Sequence, residues 1–410
     1  MYSINKFFKK LMVMGAGFLL IGACNKDVEQ FPDITFQNNS GPGLATALAS
    51  NTNYSLYNAV VAKSGMAATL NDSTRTLTMF VPGNAAVKQA IAILTGGAVP
   101  ATAADAVHLG FINSANFTQL DAAGIVGYNT IPQKVDFATL THVFPNLQYP
   151  SLINPAPQLS ALLRLTTFLS KTNGNFVNNV PVISTAMAAG NGVMYETGAV
   201  VVPPQRFLWD RINTDPELTY LKAAIARADE GVPAASSLSG YLQNIGANFT
   251  VFAPTDAAFK TTLTGIIYQV LVAQSVPPST AMTQATALSS TPGVFTNPAV
   301  ASVLTPTTVQ GIVVYHIMAT RAFLNNLPTV QQNFPTLLNG AVASHPGLGL
   351  KVTMSGPLAA SATVKGAANA TAANVAINPI PDAIGSSDQH YLNGVLHKID
   401  QVLLPQALSF

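Results

Sequence analysis

The chain reads Asn-Gly-Val-Leu-His-Lys-Ile-Asp-Gln-Val-Leu-Leu-Pro from Asn393 to Pro405, and this stretch decides how the rest is organised. A partial copy, Asn-Gly-Val-Met-Tyr, begins at Asn191 and continues into the Val-Val-Val-Pro-Pro run that ends at Pro204. The two stretches lie about half a chain apart, which indicates a tandem duplication.

Two further landmarks recur in the same order. The Phe-Ala-Pro-Thr-Asp-Ala-Ala-Phe stretch that begins at Phe252 corresponds to Phe-Val-Pro-Gly-Asn-Ala-Ala-Val, which begins at Phe80. Gly-Ile-Val-Val-Tyr-His, ending at His316, corresponds to Gly-Ile-Val-Gly-Tyr-Asn, ending at Asn129. The offset between the copies grows from 172 to 187 to 202 residues, so the second copy carries two net insertions of 15 residues. This pattern predicts two similarly folded units that differ in their loops.

Together the three landmarks resemble the fasciclin (FAS1) domain family. In that family an aromatic-x-Ala-Pro-Thr-Asp/Asn-x-Ala-Phe block comes first, a Tyr-His pair follows, and an Asn-Gly-Val-x-His-x-Ile-Asp-x-Val-Leu-Leu-Pro block closes the domain. The second copy matches all three blocks, whereas the first departs at Gly83, Val87, Asn129 and Tyr195. The resemblance implies an α+β fold of two tandem domains, each a β-wedge or sandwich flanked by helices.

The residues of the first landmark also predict a strand followed by a helix. The β-prone residues 248–253 favour a strand, which Pro254 should end because proline has no N–H for the ladder. Thr255 or Asp256 is expected to cap the following helix, and Asn84 could accept the same backbone N–H bonds in the first copy.

The closing block, which starts at Asn393-Gly394, predicts another strand. Val395, His397 and Ile399 point to one side, and Leu396, Lys398 and Asp400 point to the other, as in a strand with one buried face. Elsewhere Asn173-Gly174 indicates a tight hairpin, and helical spacing occurs in residues 56–62, 218–228 and 256–263. Strands and helices mix without a regular βαβ rhythm, so the α+β class is favoured over a doubly wound sheet.

The N-terminus is typical of a bacterial lipoprotein signal. Three lysines precede an apolar stretch at 11–20, and small residues lead to Cys24, the chain's one cysteine. We therefore expect removal of residues 1–23, lipidation of Cys24 and attachment of the protein to the cell envelope. The charged residues that directly follow the cysteine, at 26–29, favour the outer face of the outer membrane, with a plain solvated linker as the alternative. The alternative is an ordinary secretory signal with a chance cysteine.

Charge and length narrow the classes of function. Loss of the leader leaves 16 basic and 17 acidic residues, so no basic stripe for nucleic acid is expected. Charged residues make up 9% of the chain and hydrophobic ones 49%, which indicates a polar, largely uncharged surface suited to weak contacts. The predicted organisation is a lipidated linker at 24–49, a first domain at 50–204 and a second at 205–406.

No motif for catalysis, a cofactor or a metal stands out. None of the six histidines pairs with another histidine or a cysteine at zinc-site spacing. The chain has no Gly-x-Ser-x-Gly elbow, phosphate loop or dinucleotide fingerprint. An enzyme would therefore depend on scattered acids such as Asp382 and Asp388, brought together by the fold.

Several residues are candidates for binding or for the core. His316 and His397 are expected to be hydrogen-bonded core residues, because Asn129 and Tyr195 at the equivalent positions could keep a hydrogen bond but not proton-transfer chemistry. The resemblance associates Tyr315 and His316 with receptor binding, against the alternative that they alternate across a strand. Trp209 could stack on a sugar or pack between domains.

The sequence thus predicts a non-catalytic, lipid-anchored adhesion or matrix-binding protein that contacts an extracellular protein, matrix or glycan through two weak faces. A glycan-binding accessory protein of an uptake system is the first alternative, marked by exposed aromatics near Trp209, Tyr241 or Tyr391. A glycan-active enzyme is the second. Partner specificity is expected in the inserted loops 277–308 and 340–381, unless these are merely tolerated surface loops.

Overall fold

The computed structural model describes residues 41–378 and 385–407, so Cys24 and the predicted leader lie outside the described residues. The described chain divides between Pro204 and Gln205 into an N-terminal unit and a C-terminal unit. Both mix helices with small sheets, which confirms the α+β class. Within the described ranges, no helix combines the length and apolar character that crossing a bilayer requires.

In its described residues, 41–204, the N-terminal unit contains six α-helices, one short 3₁₀ segment and eight strands. Its helices are α1 (Leu44–Ala49), α2 (Ser55–Ser64), α3 (Ala67–Asn71), α4 (Asn84–Leu94), α5 (Asp105–Asn113) and α6 (Gln119–Tyr128), with a 3₁₀ segment at Thr52–Tyr54. Its strands are β1 (Leu77–Pro82), β2 (Thr130–Ile131), β3 (Leu147–Pro150), β4 (Thr166–Ser170), β5 (Phe176–Val177), β6 (Val180–Pro181), β7 (Met187–Ala189) and β8 (Gly192–Thr197).

The described part of the C-terminal unit has the same kinds of element with longer members. Its helices are α7 (Leu208–Thr214), α8 (Thr219–Ala228), α9 (Leu238–Tyr241), α10 (Asp256–Ala273), α11 (Pro278–Leu288) and α12 (Pro306–Tyr315). Its 3₁₀ segments are Ala234–Ser236, Pro292–Thr296, Pro298–Val300, Leu324–Asn326 and Leu337–Gly340. Its strands are β9 (Phe249–Pro254), β10 (Ile317–Met318), β11 (Gln332–Phe334), β12 (Leu348–Ser355), β13 (Leu358–Lys365), β14 (Ala373–Asn374), β15 (Gln389–Tyr391) and β16 (Gly394–Ile399).

The two units repeat one topology. The sheet order β2-β1-β8-β7 corresponds strand for strand to β10-β9-β16-β15, and β3-β4-β5-β6 corresponds to β11-β12-β13-β14. In each unit the first-landmark strand pairs in parallel with the closing strand, and Phe80 lies opposite Tyr195 as Phe252 lies opposite His397. The sequence landmarks therefore occupy equivalent positions in three dimensions.

The closing strand β16 is buried along its whole length, which corrects the prediction of a half-buried strand. It runs between β9 and β15, and Leu396 packs into a core cluster that includes residues of α8, α10 and α12. On the opposite face His397 stacks on Phe252, with ring centroids 5.6 Å apart. Both faces of β16 are covered, as is usual for parallel strands. The alternation of residues along the strand therefore predicted its burial incorrectly.

The N-terminal unit starts earlier than residue 50, which shortens the predicted linker. Leu44 and Leu48 of α1 are fully buried in its core, and the Leu44 N–H donates to Asn191 Oδ1 at 3.0 Å. Residues 44–49 are therefore part of the folded unit, because two leucines one helical turn apart bury on one face.

The inserted regions are largely folded. Residues 277–308 form α11 and two 3₁₀ segments, and they bury Ala281, Ala285, Phe295 and Leu304. In 340–381, as far as it is described, β12 and β13 build a hairpin longer than its β4–β5 counterpart. The first insertion thus contributes several buried side chains to the core, whereas the second lengthens a hairpin whose tip is exposed.

Candidate functional site

The asparagine of the Asn-Gly landmark makes the same type of side-chain contacts in each unit. Asn393 accepts the Leu208 N–H at 3.0 Å and donates to the Leu242 carbonyl at 2.8 Å. Asn191 accepts the Leu44 N–H at 3.0 Å and donates to the Leu70 carbonyl at 2.9 Å. An amide supplies both a donor and an acceptor, so one buried side chain ties the unit's first helix to its last strand.

The acid of the first landmark caps a different helix from the one expected. Thr255 caps α10 by accepting the Ala258 N–H at 3.4 Å, directly after β9 ends at Pro254. Asp256 instead accepts the Tyr220 N–H at 3.0 Å and the Thr219 hydroxyl at 2.6 Å, at the start of α8.

The N-terminal unit repeats this contact with an amide. Asn84 Oδ1 accepts the Leu56 N–H at 3.0 Å, and its Nδ2 donates to Ser55 Oγ at 3.0 Å at the start of α2. Asn84 therefore takes the place of Asp256, as expected, but each side chain caps an earlier helix of its unit, two helices before the one that it begins. Gly83 offers no side-chain cap to α4.

His316 is a buried core residue at the end of α12, not in a strand. The Leu403 N–H donates to its Nε2 at 2.9 Å, so Nδ1 carries the proton and donates to the Ile312 carbonyl at 2.8 Å. Burial lowers the pKa of His316 to about 4. Asn129 donates to the equivalent Ile125 carbonyl at 2.8 Å, and it also donates to the Val201 carbonyl at 2.8 Å, where His316 instead accepts an N–H.

His397 fills the same kind of role on β16. The Asp388 N–H donates to Nδ1 at 3.1 Å, so Nε2 carries the proton and donates to the Ala322 carbonyl at 3.0 Å. Burial lowers the pKa of His397 to about 4. In the N-terminal unit the Tyr195 hydroxyl donates to the equivalent Val135 carbonyl at 3.0 Å. The expected buried hydrogen bond is therefore present in both units.

Tyr315 and His316 do not offer a contact surface in this conformation. Both are buried, and they lie at a helix C-terminus because α12 extends through Tyr315. The Tyr315 hydroxyl donates to the Gly347 carbonyl at 2.7 Å and accepts the Ala367 N–H at 2.9 Å. Their role in receptor binding stays a prediction, and any such role would operate through the segments that they position.

The aromatic residues considered for sugar stacking do not form an exposed platform. Trp209 is half-buried against the core of the C-terminal unit, Tyr391 is buried and Tyr241 is half-buried. A shallow depression of about 380 Å³ lies beside α7 and α8, lined by residues that include Thr214, Lys222 and Ala226 but no aromatic side chain. This depression therefore lacks the stacking surface expected for a sugar cleft.

The sequence did not predict an ion cluster in the C-terminal unit, in which Lys398 and Asp215 are buried and Glu217 is exposed. Lys398 Nζ lies 2.7 Å from Asp215 Oδ2 and 2.6 Å from Glu217 Oε2, and Arg211 Nη2 lies 2.9 Å from Asp215 Oδ2. Burial would raise the pKa of Asp215, but the hydrogen bonds from Lys398 and the Glu217 N–H and the nearby cations hold it below its usual value. A lysine inside an apolar strand was the available sequence signal.

The described residues show only one of the two acids, Asp382 and Asp388, that were considered for an enzyme. Asp382 lies outside the described residues, and Asp388 accepts the Leu324 N–H at 2.8 Å. Burial raises the pKa of Asp388 to about 7, and its carboxylate lies 3.9 Å from His397 Nδ1. Within residues 41–378 and 385–407, no three His, Cys, Asp or Glu side chains are grouped to hold a metal ion.

Comparison with known proteins identifies one region. Residues 231–405 match the family model of the fasciclin domain. A solved FAS1 domain pair from the insect cell adhesion molecule fasciclin I is similar at 16% identity, with 87% of this chain and 98% of that chain covered and a TM-score of 0.31. No curated protein matches the sequence.

Proposed function

We propose, from the premise that residues 231–405 form a fasciclin domain, that the chain is a cell-envelope adhesion or matrix-binding protein. Fasciclin domains are typically adhesion or extracellular binding modules. In this proposal a lipid on Cys24 holds the chain to a membrane, and both units bind without catalysing a reaction.

The observation that carries the proposal is that the polar landmark residues of both units form buried hydrogen bonds to the backbone. His316 and His397 are the landmark residues best suited to proton transfer, yet each has both ring nitrogens hydrogen-bonded to the backbone. Asn129 and Tyr195 serve the equivalent carbonyls without a group that could exchange protons near neutral pH. These side chains support structure, and recognition is left to the surfaces.

We place the main contact of the C-terminal unit at the tip of the β12–β13 hairpin, residues 353–361. The tip has no charged residue and no buried residue, and Leu358 is 54% exposed. The N-terminal unit has a shorter hairpin at this position, closed by residues 171–175. An extended element that only one copy possesses is a suitable place for partner specificity.

Two weak contacts on one chain would act together. If the units engage one surface at once, the second contact becomes intramolecular and apparent affinity rises by roughly two to four orders of magnitude. Attachment through Cys24 would confine every molecule to the same surface, which favours adhesion over capture of a free ligand.

Binding of residues 25–410 to envelope fractions and to a panel of polysaccharides tests the proposal. We expect weak binding that Leu358→Asp reduces at least about tenfold, because a charge would enter an uncharged contact. Val330→Asp is the matched control, since Val330 is 72% exposed on the same unit but lies outside the hairpin.

Three outcomes would count against the proposal. Equal effects of the two substitutions would remove the hairpin from the contact. Tight selectivity for a single glycan would instead favour an accessory protein of glycan uptake. Turnover of any panel member would contradict a non-catalytic role.

A further inference from the structure

The two landmark histidines of the C-terminal unit, His316 and His397, each have an unprotonated nitrogen that faces a backbone donor. For His316 this is Nε2, which receives the Leu403 N–H, and for His397 it is Nδ1, which receives the Asp388 N–H. A second proton on either ring would place two donors head to head at about 3 Å, with neither able to turn toward water. Protonation and the folded conformation therefore oppose each other.

The N-terminal unit makes the equivalent contacts with residues that do not titrate in this range. Asn129 has no ionisable group, and burial raises the pKa of Tyr195 further above its usual value of 10.0. Both side chains still serve the equivalent carbonyls, Ile125 for Asn129 and Val135 for Tyr195. At these two positions the C-terminal unit thus has histidines and the N-terminal unit has none; its buried His108 lies elsewhere and contacts the Ala104 carbonyl.

The groups around the two histidines differ. His316 lies among α12, β9 and the segment at Leu403. The titratable residue on these elements is Tyr315, and the ring of His345 packs against the ring of Tyr315. His397 faces the Asp388 carboxylate at 3.9 Å, and Ala322, its acceptor, follows Arg321, whose guanidinium lies 2.7 Å from His390 Nε2. Lys398, its neighbour on β16, is engaged by Asp215 and Glu217.

We propose that the C-terminal unit is an acid-labile half of the protein, which loses its fold on mild acidification while the N-terminal unit keeps its own. A contact made through the C-terminal unit, such as the hairpin contact, would then be released in an acidic environment. Only this release rests on the proposed function; the difference in acid stability between the units does not.

The titration of the histidines determines that acid destabilises the C-terminal unit. Burial lowers the pKa of both His316 and His397 from 6.5 to about 4. Their contribution to folding is therefore complete above pH 6.5 and is lost as the pH falls toward 4. Each histidine should make folding on the order of 100-fold less favourable at pH 4 than at neutral pH.

Other groups modify this response. Burial, with the charge of Arg321, also holds the pKa of His390 well below its usual value, so His390 acts in the same direction. Asp388 acts in the opposite direction: burial raises its pKa to about 7, so acidification from pH 7 removes a destabilising charge. Three histidines outnumber this one carboxyl, and the net effect of acid is destabilisation.

Urea unfolding of the full chain at pH 7 and pH 5 tests the inference without any ligand. Trp209, the one tryptophan of the chain, packs against the core of the C-terminal unit and reports its unfolding. Hydrogen exchange of the β1 and β8 amides reports the N-terminal unit. We expect the urea midpoint of the Trp209 signal to fall markedly between pH 7 and pH 5, while the protection of β1 and β8 changes little.

Exchanging residues between the copies provides matched variants. His316→Asn should reduce the fall in midpoint, and His316→Gln serves the same purpose if the asparagine variant does not fold. The reverse change, Asn129→His, is a control that should leave the N-terminal unit insensitive to acid, because both contacts of Asn129 are carbonyls that a doubly protonated ring can also serve. The inference is overturned if both units lose stability equally at pH 5, or if the folded histidine variants respond to acid as the wild type does.

Discussion

Among single residues, Gly192 and Gly394 show most directly why the landmarks have their composition. A Cβ on Gly394 would lie 2.6 Å from the Phe249 carbonyl oxygen, and one on Gly192 would lie 2.0 Å from the Leu77 carbonyl oxygen. The closing strand approaches the first-landmark strand so closely at this point that only glycine fits. The adjacent asparagine can then reach the first helix of its unit.

Gly394→Ala should destabilise the C-terminal unit by about 1–3 kcal/mol, because the added methyl group meets backbone that cannot move aside. Urea unfolding followed by Trp209 fluorescence measures the change. Gly265→Ala is the control: it lies in α10 with nothing within 4 Å of the added Cβ, so it should stabilise the unit by about 0.5–1 kcal/mol. Similar losses for both variants would contradict this account of Gly394.

At the scale of single residues, the sequence indicated which residues are important more reliably than it indicated their contacts. His316 and His397 were expected in the core, and they are there with the predicted type of hydrogen bond. Lys398 was assigned to the outward side of a half-buried strand, yet it is buried with Asp215. That partner is 183 positions earlier in the chain, and no local pattern reveals a contact over such a separation.

At the level of elements, the two copies keep their helices in place with the same contact made by different chemistry. Asp256 and Asn84 each hold the N-terminus of an earlier helix of their unit, α8 and α2 respectively. An amide and a carboxylate can both accept the helix N–H, and the amide NH₂ can donate to the hydroxyl that a carboxylate accepts from. Divergence in sequence therefore leaves the position of the helix unchanged.

Asp256→Asn should cost less than about 0.5 kcal/mol, since it reproduces the arrangement of Asn84. Asp256→Ala should cost about 1–2 kcal/mol, because the start of α8 then loses its cap. The free energies of unfolding of the two variants, measured by Trp209 fluorescence, decide the matter. The exposed Thr261→Ala substitution on α10 controls for nonspecific effects, and equal losses from Asn and Ala would rule out the capping role.

Over the whole molecule, anchoring is the largest proposal that remains to be tested. We expect Cys24→Ser to abolish lipid labelling of the chain and to move it from the membrane fraction to the soluble exported fraction. Fractionation with mass spectrometry of the mature N-terminus measures both. Retention of the Cys24→Ser protein in the membrane fraction, with no lipid on the wild type, would show that another feature attaches it.

The order of the repeated landmarks determined by itself that the chain holds two related units of mixed α+β structure, because residues that meet a close backbone approach or a buried carbonyl have few replacements. The tertiary structure alone decided that β16 is covered on both faces, that residues 277–308 fold and add buried side chains to the core, and that Asp256 caps α8. These depend on which distant segments meet, and a local pattern of hydrophobic and polar residues does not encode the identity of the partner segment.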